Sequence, residues 1–248
     1  MSELTVHDLT VARGGRTVVR NATITVHSGE VVALLGPNGA GRSSTILAMC
    51  GLLPVAGGTV AVDGKVLTGL RPDQVRRSGV STVLENHRVL ADLTVLDNLK
   101  VAGGRKGAER SRRIDSVLET FPELVAHLDR PAGQLSGGQQ QMLAVGQALA
   151  NQPSFLLIDE MSMGLAPVVV SRLLAALRTL AGDGIGVLLV EQFAHLALSI
   201  SDRAHVMARG QLVFSGAAGD LDRDPDLLHR LYMGAGVDES LDLPSEAG

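Results

Sequence analysis

VVALL-GPNGAGRSS, residues 31 to 44, is the stretch that decides the fold. Val31 to Leu35 form a short, wholly apolar run, as expected of a strand buried on both faces of a parallel sheet. Gly36, Pro37, Asn38, Gly39, Ala40, Gly41, Arg42, Ser43 and Ser44 follow at once and match G-x-x-x-x-G-K-[ST], with Arg42 in the lysine position. Phosphates are held by several inward-pointing backbone N–H groups. Glycines at 36, 39 and 41 let the chain curl into such a nest, and the helix predicted to follow adds its N-terminal dipole. Ser43 is placed to ligate Mg2+ through its hydroxyl. Arg42 is a larger, planar, bidentate cation than lysine and could hold a triphosphate while misplacing its γ-phosphate. An ordinary glycine-rich strand-to-helix turn is the competing account. It must treat the strand, the glycine spacing, the cation and the hydroxyl as four coincidences.

Outward from this loop, SFLLIDE places Asp159 and Glu160 at the end of a second apolar run, the edge where open parallel sheets bind ligands. Asp159 can hold a magnesium shell, and Glu160 can orient and polarise an attacking water. The structural alternative is that the acids only cap the helix entered at Pro167. Further strands are predicted at GVSTVL (79–84) and GVLLVE (186–191), and helices over SSTILAMCGLL and VVVSRLLAALRTL. Before the phosphate loop, ELTVHDL and ATITVH with turns at Gly14-Gly15 and Ser28-Gly29 predict an antiparallel sheet. Hairpins turning at Asp63-Gly64 and Arg209-Gly210 are predicted as well. Helical spacing in VLDNLKVA and ERSRRIDSVLETF marks an inserted helical subdomain at about 88–150. The main domain then spans 1–234, and 235–248 read as an acidic mobile tail with no Lys or Arg.

Bulk properties narrow the function. The chain has 248 residues, a net charge of -4 and 2% aromatic residues without Trp, which disfavours nucleic-acid binding through a basic surface or base stacking. Its one cysteine, Cys50, cannot form an internal disulfide, and no Cys/His cluster suggests zinc. No apolar run approaches a membrane span, and MSELTVHDLT lacks signal-peptide character, so a cytoplasmic protein is expected, working at a membrane only as a bound subunit. The basic cluster Arg105, Lys106, Arg110, Arg112 and Arg113 is read as a solvated helix face.

LSGGQQQ, residues 135 to 141, resembles the signature sequence of ABC ATPases. Ser136 with Gln139 also makes a capping-box pattern, which leaves Gly137 and Gly138 unexplained. The order of phosphate loop, signature and DE strand resembles this superfamily over residues 3 to about 234. The implied fold is an α/β P-loop NTPase core with an N-terminal antiparallel β subdomain and an inserted α-helical subdomain. Within the superfamily, GLAP (164–167) and LLVEQ (188–192) look like the shorter ATP-binding subunit of branched-chain amino-acid uptake transporters.

The resemblance implies ATP and Mg2+ as ligands and hydrolysis driven by Glu160. It also implies Gln192 at the γ-phosphate-sensing position, Glu85 as a magnesium-sensing and coupling residue, and Arg13 where an aromatic usually stacks on adenine. Ser136, Gly137, Gly138 and Gln139 would contact the γ-phosphate held by a second ATP-binding subunit, identical or different. The remaining implied partners are transmembrane permease subunits, docked around Glu85 to Leu90 and the inserted helices, and indirectly a substrate-binding protein. The place of work is the inner face of the cell membrane. His195 reads as an ordinary helix residue. Gln147 replaces a usual arginine and Met161 a usual proline, and with Arg42 and Arg13 these departures bear on turnover more than on fold. The alternative function is a degenerate nucleotide-binding regulatory subunit paired with an active ATPase. A chromosome-organising or DNA-repair ATPase is set aside because no sustained heptads interrupt the core.

Overall fold

The computed structural model describes residues 1–85, 89–104 and 107–235. Arg88, Arg105, Lys106 and all but the first residue of the predicted tail fall outside the described residues.

Two sheets enclose one core between them, and a second core lies on the far face of the larger sheet. Strands β1 (Glu3–Arg13), β2 (Arg16–His27), β4 (Val55–Val62) and β5 (Lys65–Val66) form an antiparallel sheet in the order β2-β1-β4-β5. The second sheet runs β10-β9-β3-β8-β7-β6, from β3 (Val31–Leu35), β6 (Val80–Val83), β7 (Phe155–Asp159), β8 (Gly186–Val190), β9 (Arg203–Ala208) and β10 (Gln211–Ala217). All its pairings are parallel except that of β10 with β9. The hairpin turns at Gly14-Gly15, Asp63-Gly64 and Arg209-Gly210 carry positive φ at both central residues, between 48° and 82°. That is the turn whose twist matches antiparallel strands, and it explains the glycine in each pair.

The wholly apolar runs are explained by what covers each face. Val31, Ala33 and Leu35 of β3 point into a core shared with helices α5 (Gly137–Leu149) and α6 (Pro167–Gly182). Val32 and Leu34 point the other way, into a core shared with β1, β2 and helix α1 (Arg42–Met49). With no face left for water, alternation disappears from the sequence.

Between the sheets' contributions lie α3 (Val95–Ala102), α4 (Ala108–Thr120), two short 3₁₀ turns at Pro122–His127 and Ala132–Gln134, and then α5. Val95, Leu99, Val117, Phe121 and Leu124 close their interior. Asn98 is fully buried and ties down the segment that leads into α3: its Oδ1 accepts from Leu90 N at 2.8 Å and from Gln147 Nε2 at 3.0 Å. Helices α2 (Pro72–Arg77), α7 (Ala194–Leu198), α8 (Ala218–Arg223) and α9 (Pro225–Tyr232) complete the described chain. No helix among the described residues is long and apolar enough to cross a membrane.

Candidate functional site: a phosphate-loop cavity at the sheet edge

The carboxyl ends of β3, β8 and β7 lie side by side, and β3 and β7 lead directly into the site. β3 opens into the glycine loop, which ends in α1. Within it, Gly36 has φ 150° and a Cβ there would come 2.1 Å from the Met207 carbonyl oxygen. Gly41 has φ 108° and its Cβ would meet the Val18 carbonyl oxygen at 2.7 Å. Backbone packing therefore demands glycine at both positions. Gly39 has open space around it, so only its φ of 79° favours glycine.

β7 ends at Asp159, and Glu160 follows in the left-handed region at φ 48°, its N–H bonded to the Val190 carbonyl at 3.0 Å. A non-glycine residue in this conformation is uncommon and is held there by its surroundings. Asp159 Oδ1 accepts from Ser43 Oγ at 3.2 Å. Burial pushes the Asp159 carboxyl up to about 6, aided by the Glu160 and Glu85 charges and opposed by the Ser43 bond and Arg42.

Arg42 turns back over the loop. Its Nη2 donates to Glu160 Oε1 at 2.8 Å and to Asn38 Oδ1 at 3.3 Å. Both partners of the ion pair are buried, with side chains 4% and 10% exposed. Nη1 of the same guanidinium is buried with no hydrogen-bond partner. A buried cation with one unpartnered nitrogen beside a glycine nest fits an anionic oxygen.

Around these groups lies a cavity of about 460 Å³, lined by the loop from Asn38 to Ser44 together with Arg13, Val18, Glu85, Glu160 and Met163. It thus gathers residues from five separate parts of the sequence. Gly36 and Pro37 form the loop's base, and Asp159 reaches the site through Ser43. Gln192, just past β8, is exposed and is not among the lining residues. His195 is exposed on α7, edge-on to Phe193.

Ser136, Gly137, Gly138 and Gln139 also lie away from the cavity, at the start of α5. The capping box forms: Gln139 N donates to Ser136 Oγ at 3.3 Å and Ser136 N to Gln139 Oε1 at 3.0 Å. Gln139 Nε2 reaches His127 Nε2 at 2.8 Å. A Cβ on Gly138 would come 2.6 Å from Val169 Cγ1, so close packing of α5 against α6 accounts for this glycine, whereas Gly137 has room for a side chain.

Glu191, next to this site, has no role predicted by the sequence motifs. It is 1% exposed, and its carboxylate accepts from Ser162 N at 3.1 Å and Ser162 Oγ at 2.6 Å. Burial, with a contribution from Glu160, holds it above the usual carboxylate range. An acid directly after the apolar run GVLLV was the available signal. Met161 is fully buried, filling core space where the resemblance implies proline.

Comparison with known proteins agrees with this architecture. Residues 19–163 match the family model "ABC transporter". The chain is 38% identical to the high-affinity branched-chain amino acid transport ATP-binding protein BraG of Pseudomonas aeruginosa, over 87% of this chain and 93% of that protein. It is 31% identical to the lipopolysaccharide export system ATP-binding protein LptB of Escherichia coli K12, over 94% of this chain and 98% of that one. The crystal structure of the ADP conformation of an ATP-binding cassette of an ABC transporter superposes with a TM-score of 0.84 at 27% identity, covering 94% of this chain and 99% of that one. A sheet edge that offers a glycine nest, a buried cation and paired carboxylates, in a chain so matched, identifies this protein as a member of the ABC transporter family, one of its ATP-binding subunits.

Proposed function

We propose that this subunit powers the import of branched-chain or related amino acids, binding Mg-ATP in the cavity at the end of β3. The cavity itself carries the reading, because it joins the glycine loop to Arg13, Glu85 and Glu160 in one space. Loop N–H groups and Arg42 Nη1 suit the phosphates, and Arg13 can stack its guanidinium plane on adenine. Ser43, Asp159 and Glu85 supply oxygen donors of the kind Mg2+ takes, a small set because the ion keeps waters and phosphate oxygens in its shell. Magnesium bound there would neutralise charge developing on the phosphates. Glu160 would accept a proton from the attacking water, and Gln192 would face the γ-phosphate from the end of β8.

The signature residues Ser136 to Gln139 would act on a second subunit's nucleotide, which makes a dimer necessary. Exposed Met163, Val168 and Phe193 suit burial in that contact. For the permease, a groove of about 350 Å³ runs between β6 and the inserted helices, lined by Arg76, Leu84, Leu90, Val101 and Gln147 among others. It adjoins Glu85, so a membrane subunit seated there would place the chain on the inner face of the cell membrane. Likeness to BraG supports amino-acid import, and likeness to LptB supports an export system as the alternative cargo.

One observation favours a second reading. Arg42 ties up Glu160 at 2.8 Å, and a guanidinium that kept this grip with ATP bound would leave a silent, regulatory subunit. The test is phosphate release and labelled leucine uptake with the neighbouring permease genes co-expressed, for wild type, Glu160→Gln and Arg42→Lys. Wild-type turnover and uptake, both lost in Glu160→Gln by about 10²-fold or more while ATP binding remains, is the expected result. ATP binding without turnover in wild type, revived by Arg42→Lys, would establish the silent half of an asymmetric pair.

A further inference from the structure

Glu191 is a buried acid with no role in the scheme above. It stands at the end of β8, between the strand that opens into the phosphate loop and the strand that ends in Asp159. The five residues before it are all buried and apolar, so an aliphatic side chain would have continued the strand at no desolvation cost. A carboxylate in that place is tolerable only where donors meet it. Ser162 provides two, its N–H at 3.1 Å and its hydroxyl at 2.6 Å.

Ser162 is the middle of a tight loop. Two residues before it, Glu160 is held at φ 48°, a conformation that persists only when neighbours over-determine it. One residue before it, Met161 is fully buried, and one residue after it, Met163 borders the cavity. A second bond, Glu160 N to Val190 O at 3.0 Å, joins the same loop to the residue before Glu191. The end of β8 therefore grips the loop at two points, and the side-chain grip is Glu191.

We propose that Glu191 is a positioning residue for ATP hydrolysis, clamping the loop that carries Glu160 through Ser162 so that the Glu160 carboxylate stays aimed into the phosphate-loop cavity. The proposal rests on the reading of Glu160 as the water-activating base. Glu191 is not among the residues that line the cavity. It fixes the direction of a group that does, and displacement of a reacting group by about 1 Å is enough to cost about 10²-fold in rate. Gln192 is the next residue, so the clamp also joins the proposed γ-phosphate-sensing position to the base.

The experiment uses the full chain, ¹³C-labelled at the methionine methyls, as wild type, Glu191→Ala, Glu191→Gln, Ser162→Ala and Glu160→Gln. Mg-ATP turnover and methyl spectra are recorded on each. Glu191→Ala is expected to lower kcat about 10²-fold while KM for ATP changes by less than about threefold, the signature of a group felt only in the transition state. The Met161 and Met163 methyl signals shift or broaden, and that of Met49, in the core on the other face of the sheet, does not. Glu191→Gln restores both readouts, since its amide oxygen accepts from Ser162 N–H and its NH₂ donates to the hydroxyl. Ser162→Ala reports the same contact from the other side should Glu191→Ala fail to fold, with a smaller loss of about tenfold in kcat.

Unchanged kcat and unmoved Met161 and Met163 signals in Glu191→Ala overturn the proposal. So does a rise in KM at constant kcat, or a Glu191→Gln as impaired as the alanine. Retained turnover in Glu160→Gln, by contrast, removes the base assignment. The methyl signals then still decide whether Glu191 sets the loop, as they do if wild type itself proves silent.

Discussion

At the scale of single residues, the Arg42–Glu160 pair is the chain's own departure from the lysine that the phosphate-loop pattern specifies. Lysine would present a compact ammonium to phosphate. Arginine has a fork wide enough to hold Glu160 and Asn38 with one nitrogen and leave the other for a ligand oxygen. Removing one member of a buried pair is costly because the other is left charged and unmatched. Arg42→Ala is therefore expected to destabilise the nucleotide-free protein. The loss should be about 1–3 kcal/mol rather than the larger figure for a sealed pair, since water can enter the open cavity beside Glu160. Adding Glu160→Gln should recover most of it, because a neutral amide needs no counter-charge. Urea denaturation of the two single variants and the double checks this, and additive losses would mean that the pair contributes nothing as a pair. The residues around this cavity were largely legible in the sequence because glycine spacing, a cation and two acids carry their chemistry locally. Val18 and Met163 were not, since nothing in their own neighbourhood says which way they face. Glu191 escaped notice because its partner, Ser162, lies 29 residues away in the chain.

At the scale of elements, the start of α5 shows how one glycine can have two reasons. Gly138 belongs to the signature stretch, yet its hydrogen is also where Val169 of α6 fits, with the nearest methyl carbons 2.6 and 3.0 Å from any added Cβ. Gly138→Ala should thus cost about 1–3 kcal/mol through overpacking alone. Combining it with Val169→Ala should return most of that stability, while turnover stays impaired if the backbone N–H there must approach a phosphate. Thermal unfolding and phosphate release measured side by side separate the two causes, and full recovery of turnover in the double variant would reduce Gly138 to a packing residue. Strands and hairpins were readable because burial on two faces and two-residue turns each leave an unambiguous mark, and α3 and α4 because their apolar residues recur at helical spacing. Helix α2 was missed for want of length, at six residues with one buried apolar side chain, Val75. Helices α8 and α9 were missed because they are short and joined directly at Asp224, whose side chain caps α9. Contacts made after folding, not local pattern, set such elements.

At the scale of the whole molecule, the geometry holds apart the two stretches proposed as halves of one nucleotide site. The cavity holds the glycine loop, Arg42 and Glu160, and the capped start of α5 is not part of its wall. A single chain that carried both halves without joining them would gain nothing from the second, whereas two chains related by a two-fold axis could each complete the other's nucleotide site. Complementation tests this directly. Ser136→Arg spoils the signature half and keeps the base, Glu160→Gln spoils the base and keeps the signature, and each alone should be inactive. Mixed in equal amounts and allowed to exchange, half of the dimers pair one variant with the other. In each of those, one of the two sites combines an intact loop and base with an intact signature. Turnover should then return to about a quarter of the wild-type rate if the two sites act independently. No recovery, with exchange confirmed by a tag on one variant, would mean that the signature serves its own chain's nucleotide or that the working partner is a different ATPase subunit. Repeating the mixture with the neighbouring ATPase subunit decides between those two.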